Sequence, residues 1–322
     1  MTEPRLKLIV DCDPGIDDAV ALLVALASPE FDLRAVTVVS GNVPVEVTLA
    51  NALRIVERSI RPETPVMAGC YRPLFREPIR GQFSGSTGLG KSNLPPPQKT
   101  ADPRHAVPYL VDTLTQAGKD GAPITLATLG PLTNIAVALR HSPQVAAGIA
   151  RIVMMGGAFR EAGNRTMAAE FNMLADPHAA EIVFASGLPI VALGLDATHQ
   201  AIATPERVAA IRAAGGPQAD LVADLLTFWD RKDPARYGAL GGPLHDPLVI
   251  AYLLRPDLFE SEKHAVFVQH ESDISLGQTL VDWWGKTDRA ANVDIVGKVN
   301  AEAVFALITE RLGPKFQKRA AA

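Results

Sequence analysis

The residues of this sequence best suited to chemistry are carboxylates. Asp11, Asp13, Asp17 and Asp18 fall within eight positions around Pro14-Gly15, and the apolar run AVALLVALA follows directly. Like charges at this density repel. The flanking runs read as buried, and buried carboxylates need partners. A hard divalent cation is the natural one: carboxylates without matching Cys or His spacing suit Ca2+ or Mg2+ rather than zinc. The plainer alternative, one Asp capping a helix and the others solvated, serves for any single Asp but explains the cluster less well.

Four further stretches carry polar groups of the same kind. VVSGNV pairs Gly41 with Asn42, a turn that also offers a donor and an acceptor to a hydroxylated ligand. GPLTN follows an apolar run ending at Leu129, whose backbone carbonyl is a hard oxygen donor. GGAFREAGNRTMAAEFNMLADP carries Asn164, Glu170 and Asn172 beside Phe171. Near the far end, GGPLHDPLVIAYLL sets His245-Asp246 before a strongly apolar helix. Asp246 followed by Pro247 is a good helix start, so capping and metal ligation both remain open for it. His245 is suited to acid/base work, since an unperturbed imidazole titrates near ~6.5.

The elements around these stretches explain how they could meet. Apolar strands are expected at Leu6–Val10, Leu33–Val39, Pro65–Ala68, Ala122–Leu129, Arg151–Met155 and Pro189–Leu195. Helical patterns fall between them at Asp17–Ala27, Val47–Ile60, Pro131–Arg140 and Asp176–Ser186. Unbroken apolar strands alternating with helices predict an α/β fold with a mostly parallel sheet covered on both faces. Such sheets bind ligands beyond the carboxyl ends of their strands, which is where the polar stretches lie. No internal repeat or linker interrupts residues 1–322, so a single domain is expected. Its long loops are 69–103, 156–175 and 231–244.

Composition narrows the function. With 322 residues, 48% of them apolar, the chain can bury a large core. A net charge of −4 offers no basic excess for nucleic acid. Cys12 and Cys70 alone exclude a disulfide framework and fit a reducing cytosol. No apolar run approaches the ~18 residues of a membrane span, and MTEPRLKLIVD turns charged too early for a signal peptide. A cytoplasmic location without membrane contact is therefore expected.

Taken together, the motifs resemble one family, the inosine-uridine-preferring nucleoside hydrolases. DCDPGIDDA resembles the family signature, and SGNV, GPLTNIA, MGGAF, AEFN, HDP and GQTLVDWWGKT follow in the family's order. The resemblance covers essentially the whole chain and implies a nucleoside-hydrolase-like fold. It implies calcium-dependent hydrolysis of the N-glycosidic bond of ribonucleosides, releasing ribose and free base. By position, Asp13, Asp18, Asp246 and the Leu129 carbonyl match calcium ligands. Asp13 also matches the base that activates water, and His245 a residue that protonates the leaving group. Asp17, Asn42, Asn164, Glu170 and Asn172 match ribose contacts, with Phe171 beside them. Tyr237 and Trp229 are candidates to stack on the nucleobase, and Asp11 has a supporting place. A homodimer or homotetramer is implied. Ser84-Gly85 stands where many members carry His-Gly, which puts a histidine role in that loop in doubt. Two other readings compete: a calcium-dependent ribonucleoside binder without catalysis, and a haloacid-dehalogenase-like phosphatase. The latter also sets Asp-x-Asp after its first strand but does not continue as Pro-Gly-Ile-Asp-Asp.

Overall fold

A computed structural model of the chain describes residues 4–81, 85–92, 94–227 and 241–320. Its apolar runs resolve into elements close to the expected bounds. The first half holds β1 (Leu6–Cys12), α1 (Ile16–Ala27), β2 (Phe31–Val38), α2 (Val45–Glu57), β3 (Val66–Ala68), α3 (Ala106–Lys119), β4 (Ile124–Thr128) and α4 (Thr133–His141). Then follow β5 (Ile149–Met155), α5 (Phe171–Ala175), α6 (Pro177–Phe184), β6 (Ile190–Leu193), α7 (Leu195–Thr198), β7 (Ile202–Ala203), α8 (Pro205–Ala214) and α9 (Pro217–Thr227). The described chain closes with β8 (Gly242–Pro243), α10 (Pro247–Leu254), β9 (Phe259–Val268), β10 (Thr279–Asp282), β11 (Val293–Val299), α11 (Ala301–Leu312) and α12 (Pro314–Ala320).

Nine strands form one sheet in the order β10-β9-β11-β6-β5-β4-β1-β2-β3. From β3 to β11 neighbours run parallel, while β9 and β10 are added antiparallel at one edge. The chain moves outward from β1 in both directions, to β2 and β3 on one side and to β4, β5 and β6 on the other. That reversal opens a crevice at the carboxyl ends of β1 and β4, the switch point where such sheets bind ligands.

Alternation along β1 explains the two-faced core. Leu8, Val10 and Cys12 point into one apolar cluster with α1, α2, α9, α10 and α11. Ile9 points into the other, with α3, α4 and α6. Helix α1 is buried along all twelve residues, as its all-round apolar character requires. One expectation needs correcting. The stretch 156–175 is not loop throughout: its last residues form α5, because Glu170 caps that helix with its own carboxylate, accepting from Asn172 N and Met173 N.

Candidate active site

The turn from β1 to α1 builds the floor of the crevice. Asp18 is the third residue of α1 and reaches back: Gly15 N donates to its Oδ2 at 2.9 Å and Asp13 N to its Oδ1 at 3.1 Å. These bonds meet donors that a helix start leaves unpaired, and they fix the turn around Pro14-Gly15. Asn42, in the loop after β2, braces the same turn. Its backbone amide donates to Asp13 Oδ2 at 2.6 Å, and its side-chain nitrogen donates to Asp13 O and Asp18 Oδ2 at 3.2 and 3.4 Å. Two glycines press on Asp13. A Cβ on Gly41 would lie 2.1 Å from its Oδ2, and one on Gly130 2.3 Å from its Oδ1.

Asp11 lies one layer below. Its Oδ2 accepts from Thr37 Oγ1 at 2.6 Å and from Asn134 Nδ2 at 2.8 Å. The same Asn134 also holds the loop after β3 by accepting from Cys70 N. Asp11 therefore ties β1, β2 and α4 together beneath the crevice, and burial raises its pKa to about 7.

The walls come from other strand ends. After β4, the Leu129 carbonyl accepts from Asn172 Nδ2 at 2.8 Å, and the same nitrogen also meets Met155 O at 3.2 Å. Asn164 Oδ1 accepts from Phe171 N at 3.0 Å. Glu170 takes Asn172 N, Gly157 N and Met173 N at 2.9, 3.1 and 3.2 Å. Burial outweighs those bonds and raises Glu170 to about 7. On the opposite side His245 N donates to Asp17 Oδ2 at 3.2 Å, and His245 Nδ1 lies 2.7 Å from Thr198 Oγ1. Asp246 occupies the residue before α10, yet its side chain makes no capping hydrogen bond. Of the two uses open to it, capping is the one its carboxylate does not serve.

The result is a small, partly open cleft at the carboxyl ends of the strands. Asp17, Asp18, Asn42, Leu129, Asn164, Glu170, Phe171, Asn172, His245 and Asp246 all line it. Asp13 lies beneath these residues and is almost wholly buried. Trp229, Tyr237 and Ser84 lie outside the described residues. Sequence reasoning missed Ile16, Gly81, Met155 and Arg165, which also line the cleft. It also missed Thr198 and Asp196, although the stretch GLDATHQ follows β6 at the same sheet edge, and that position was the available signal.

The resemblance implies a divalent cation, and the donor set fits one. Three buried carboxylates and a carbonyl are all hard oxygens, and Arg165 is the one Lys or Arg among the described lining residues. Burial first, then neighbouring carboxylates, push Asp13 and Asp246 well above the usual carboxylate range. Among the described residues no three such side chains are already arranged as a metal cage. Asp246 and Asp18 are instead close enough for each carboxylate to shift the other's ionisation. A proton or a cation relieves the repulsion between two carboxylates placed so.

Comparison with known proteins agrees with this geometry. The sequence profile described as "Inosine-uridine preferring nucleoside hydrolase" matches residues 8–306. The pyrimidine-specific ribonucleoside hydrolase RihA of Photobacterium profundum is 45% identical over 308 residues, covering 95% of this chain and 98% of that protein. Among solved structures, a plant nucleoside hydrolase superposes with a TM-score of 0.88 at 32% identity, covering 97% of this chain and all of its own. A purine-preferring ribonucleoside hydrolase from Gardnerella vaginalis gives 0.87 at 30% identity, over 97% of this chain and 99% of its own. Among the described residues no helix is long and apolar enough to cross a membrane. With its profile match, its fold and the cleft at the β1–β4 switch point in accord, the chain belongs to the inosine-uridine preferring nucleoside hydrolase family.

Proposed function

We propose that this protein is a calcium-dependent ribonucleoside hydrolase that uses water to cleave the N-glycosidic bond, releasing ribose and the free base. Pyrimidine ribonucleosides are its preferred substrates, a choice supported by the name of its 45%-identical bacterial relative. The observation that carries the reading is the pairing of buried, mutually repelling carboxylates with a polar cleft at the sheet's switch point.

Asp13, Asp18, Asp246 and the Leu129 carbonyl would hold the ion. Its chemistry when bound is to make water more acidic and to attract vicinal hydroxyls. Asp13 removes the proton from the attacking water. Unaided, an ordinary Asp near ~3.9 faces water near ~15.7, a gap of about 12 units or ~16 kcal/mol. A bound divalent cation would narrow that gap from the water side by lowering the pKa of the water. Cleavage builds positive charge on the sugar, as in O-glycoside hydrolysis, and transfer late in the reaction shrinks the gap further. Asp17, Asn42, Asn164, Glu170 and Asn172 bind and orient the ribose, and Phe171 shields it from water. His245 donates to the departing base.

A panel of uridine, cytidine, inosine, adenosine and 2′-deoxyuridine, assayed for released sugar with and without chelator, tests the whole reading. Uridine and cytidine should turn over fastest, deoxyuridine at least a hundredfold more slowly, and chelator should abolish all activity. Binding without release of sugar, or equal kcat/KM for uridine and deoxyuridine, would overturn it.

A further inference from the structure

The segment after β6 supplies a residue that acts on His245 without lining the cleft itself. Thr198 ends the four-residue helix α7 and is fully buried. Its hydroxyl lies 2.7 Å from His245 Nδ1. The surrounding backbone sets that distance. Leu244 N donates to Ala201 O at 2.8 Å, and the short pairing of β7 with β8 joins Ile202 to Pro243 and Ala203 to Gly242. From the other side, Asp17 Oδ2 accepts from His245 N. The backbone at His245 is thus held by α1 and by β7, and what is left to choose is the orientation of the side chain through its two torsions. Thr198 is placed to choose it.

We propose that Thr198 is a positioning residue for leaving-group departure: it holds His245 Nδ1, so that Nε2 is the nitrogen that meets the nucleobase. The inference rests on the assignment of His245 to the leaving base. A hydroxyl suits the task for a specific reason. It accepts from Nδ1–H or donates to a bare Nδ1, so the ring keeps its orientation whichever nitrogen carries hydrogen. A carboxylate at the same place would serve only the protonated nitrogen, and an alkyl group would serve neither. Valine is nearly the shape of threonine but has no hydrogen bond to offer, which would leave a buried ring nitrogen without its partner.

Thr198→Val, Thr198→Ser, Thr198→Ala and His245→Ala are compared on uridine and on p-nitrophenyl riboside, whose leaving group departs without a proton. Thr198→Val should lower kcat on uridine ten- to a hundredfold with KM changed less than threefold. Its kcat/KM on the nitrophenyl riboside should stay within threefold of the parent enzyme. Thr198→Ser should recover most of the loss. In a His245→Ala background, Thr198→Val should have no further effect on uridine, because both changes remove one function. Thr198→Ala gives the same readout should the valine variant fail to fold. The proposal is overturned by equal losses on the two substrates, by no loss on uridine, or by failure of serine to recover activity. If His245→Ala itself shows no dependence on the leaving group, the assignment of His245 falls and this proposal with it. If His245→Ala shows the dependence and the threonine variants do not, only the role of Thr198 falls.

Discussion

Gly130 faces the Asp13 carboxylate so closely that a Cβ at position 130 would lie 2.3 Å from Oδ1. Real side chains do not tolerate such a contact, so any residue but glycine must displace the aspartate. Asp13 has little room to yield, because Gly41 crowds its other oxygen and Asn42 N holds it at 2.6 Å. Gly130→Ala should therefore lower kcat/KM at least a hundredfold and weaken calcium binding. Overpacking a tight site costs about 1–3 kcal/mol, so the protein should still fold. Steady-state kinetics and calcium titration by calorimetry check this, with circular dichroism as the control. Activity near that of the parent would mean the aspartate can move without consequence.

The Asp18–Asp246 pair predicts a stability effect that changes sign with calcium. Without a cation, burial and mutual repulsion favour keeping one of the two carboxylates protonated. Asp246→Asn replaces that protonated carboxyl with a neutral amide that can donate. In excess chelator the variant should be more stable than the parent by about 1–2 kcal/mol, the scale of a relieved buried charge conflict. In saturating calcium the order should reverse, since a ligand at a hundred times its Kd stabilises by about 2.7 kcal/mol and the variant has lost one ligand. Denaturant melts with and without calcium measure both terms. A variant less stable than its parent in chelator would show that the pair is not frustrated.

Much of this arrangement was readable in the residue order. Unbroken apolar strands gave the parallel sheet, and the rule that such sheets bind ligands at their carboxyl edge brought Asp18, Asn42, Leu129 and Glu170 to one place, while Asp246 joined them through the family resemblance. Asp13 was harder to read, because only packing reveals how closely Gly41 and Gly130 approach its two oxygens. Asn42 reads as a ligand contact, yet its side-chain nitrogen braces the aspartate turn, a use that depends on how β2 pairs with β1. Thr198 and Asp196 carried only the signal of their place after β6. A lone Thr or Asp in a short helix has no spacing signal, and its value comes from partners 47 and 37 residues away.

Glu170 carries a pH prediction. Its pKa in the folded protein is about 7, above the ordinary 4.5, with burial as the cause. The folded state therefore prefers the protonated form. The stability this contributes is fully present below pH ~4.5 and is lost as pH rises through about 7. A displacement of this size corresponds to roughly 3 kcal/mol as an upper figure. Glu170→Gln removes the ionisation while keeping an oxygen that can accept from Gly157 N or Asn172 N. The parent's stability relative to this variant should fall between pH 4.5 and 7 and level off above. Urea unfolding across that range, at fixed calcium, measures the difference. A difference that stays flat with pH would show that Glu170 ionises as an ordinary exposed carboxylate does.

Asp196 sets the entrance of the 156–175 segment that supplies Asn164, Glu170 and Asn172. Its carboxylate accepts three consecutive backbone amides, from Phe159 at 2.8 Å and from Arg160 and Glu161 at 2.7 and 3.2 Å. Arg160 adds a second tie, its guanidinium stacked 3.7 Å from the Trp283 ring centre. Bonds to a charged acceptor contribute about 1.5–3 kcal/mol each, less where water competes, as it does at Arg160 and Glu161. Loss of the cluster should free the segment at a cost of about 2–4 kcal/mol in local order without unfolding the sheet. Asp196→Ala should then raise KM for uridine about ten- to thirtyfold while kcat falls less, because the ribose contacts must be ordered at each encounter. Amide hydrogen exchange should accelerate across residues 159–161 and into the segment beyond, with β1 and β4 unchanged. Unchanged exchange at those three amides would mean that the turn holds its shape without the carboxylate, and a loss confined to kcat would place Asp196 in the chemistry rather than in loop order.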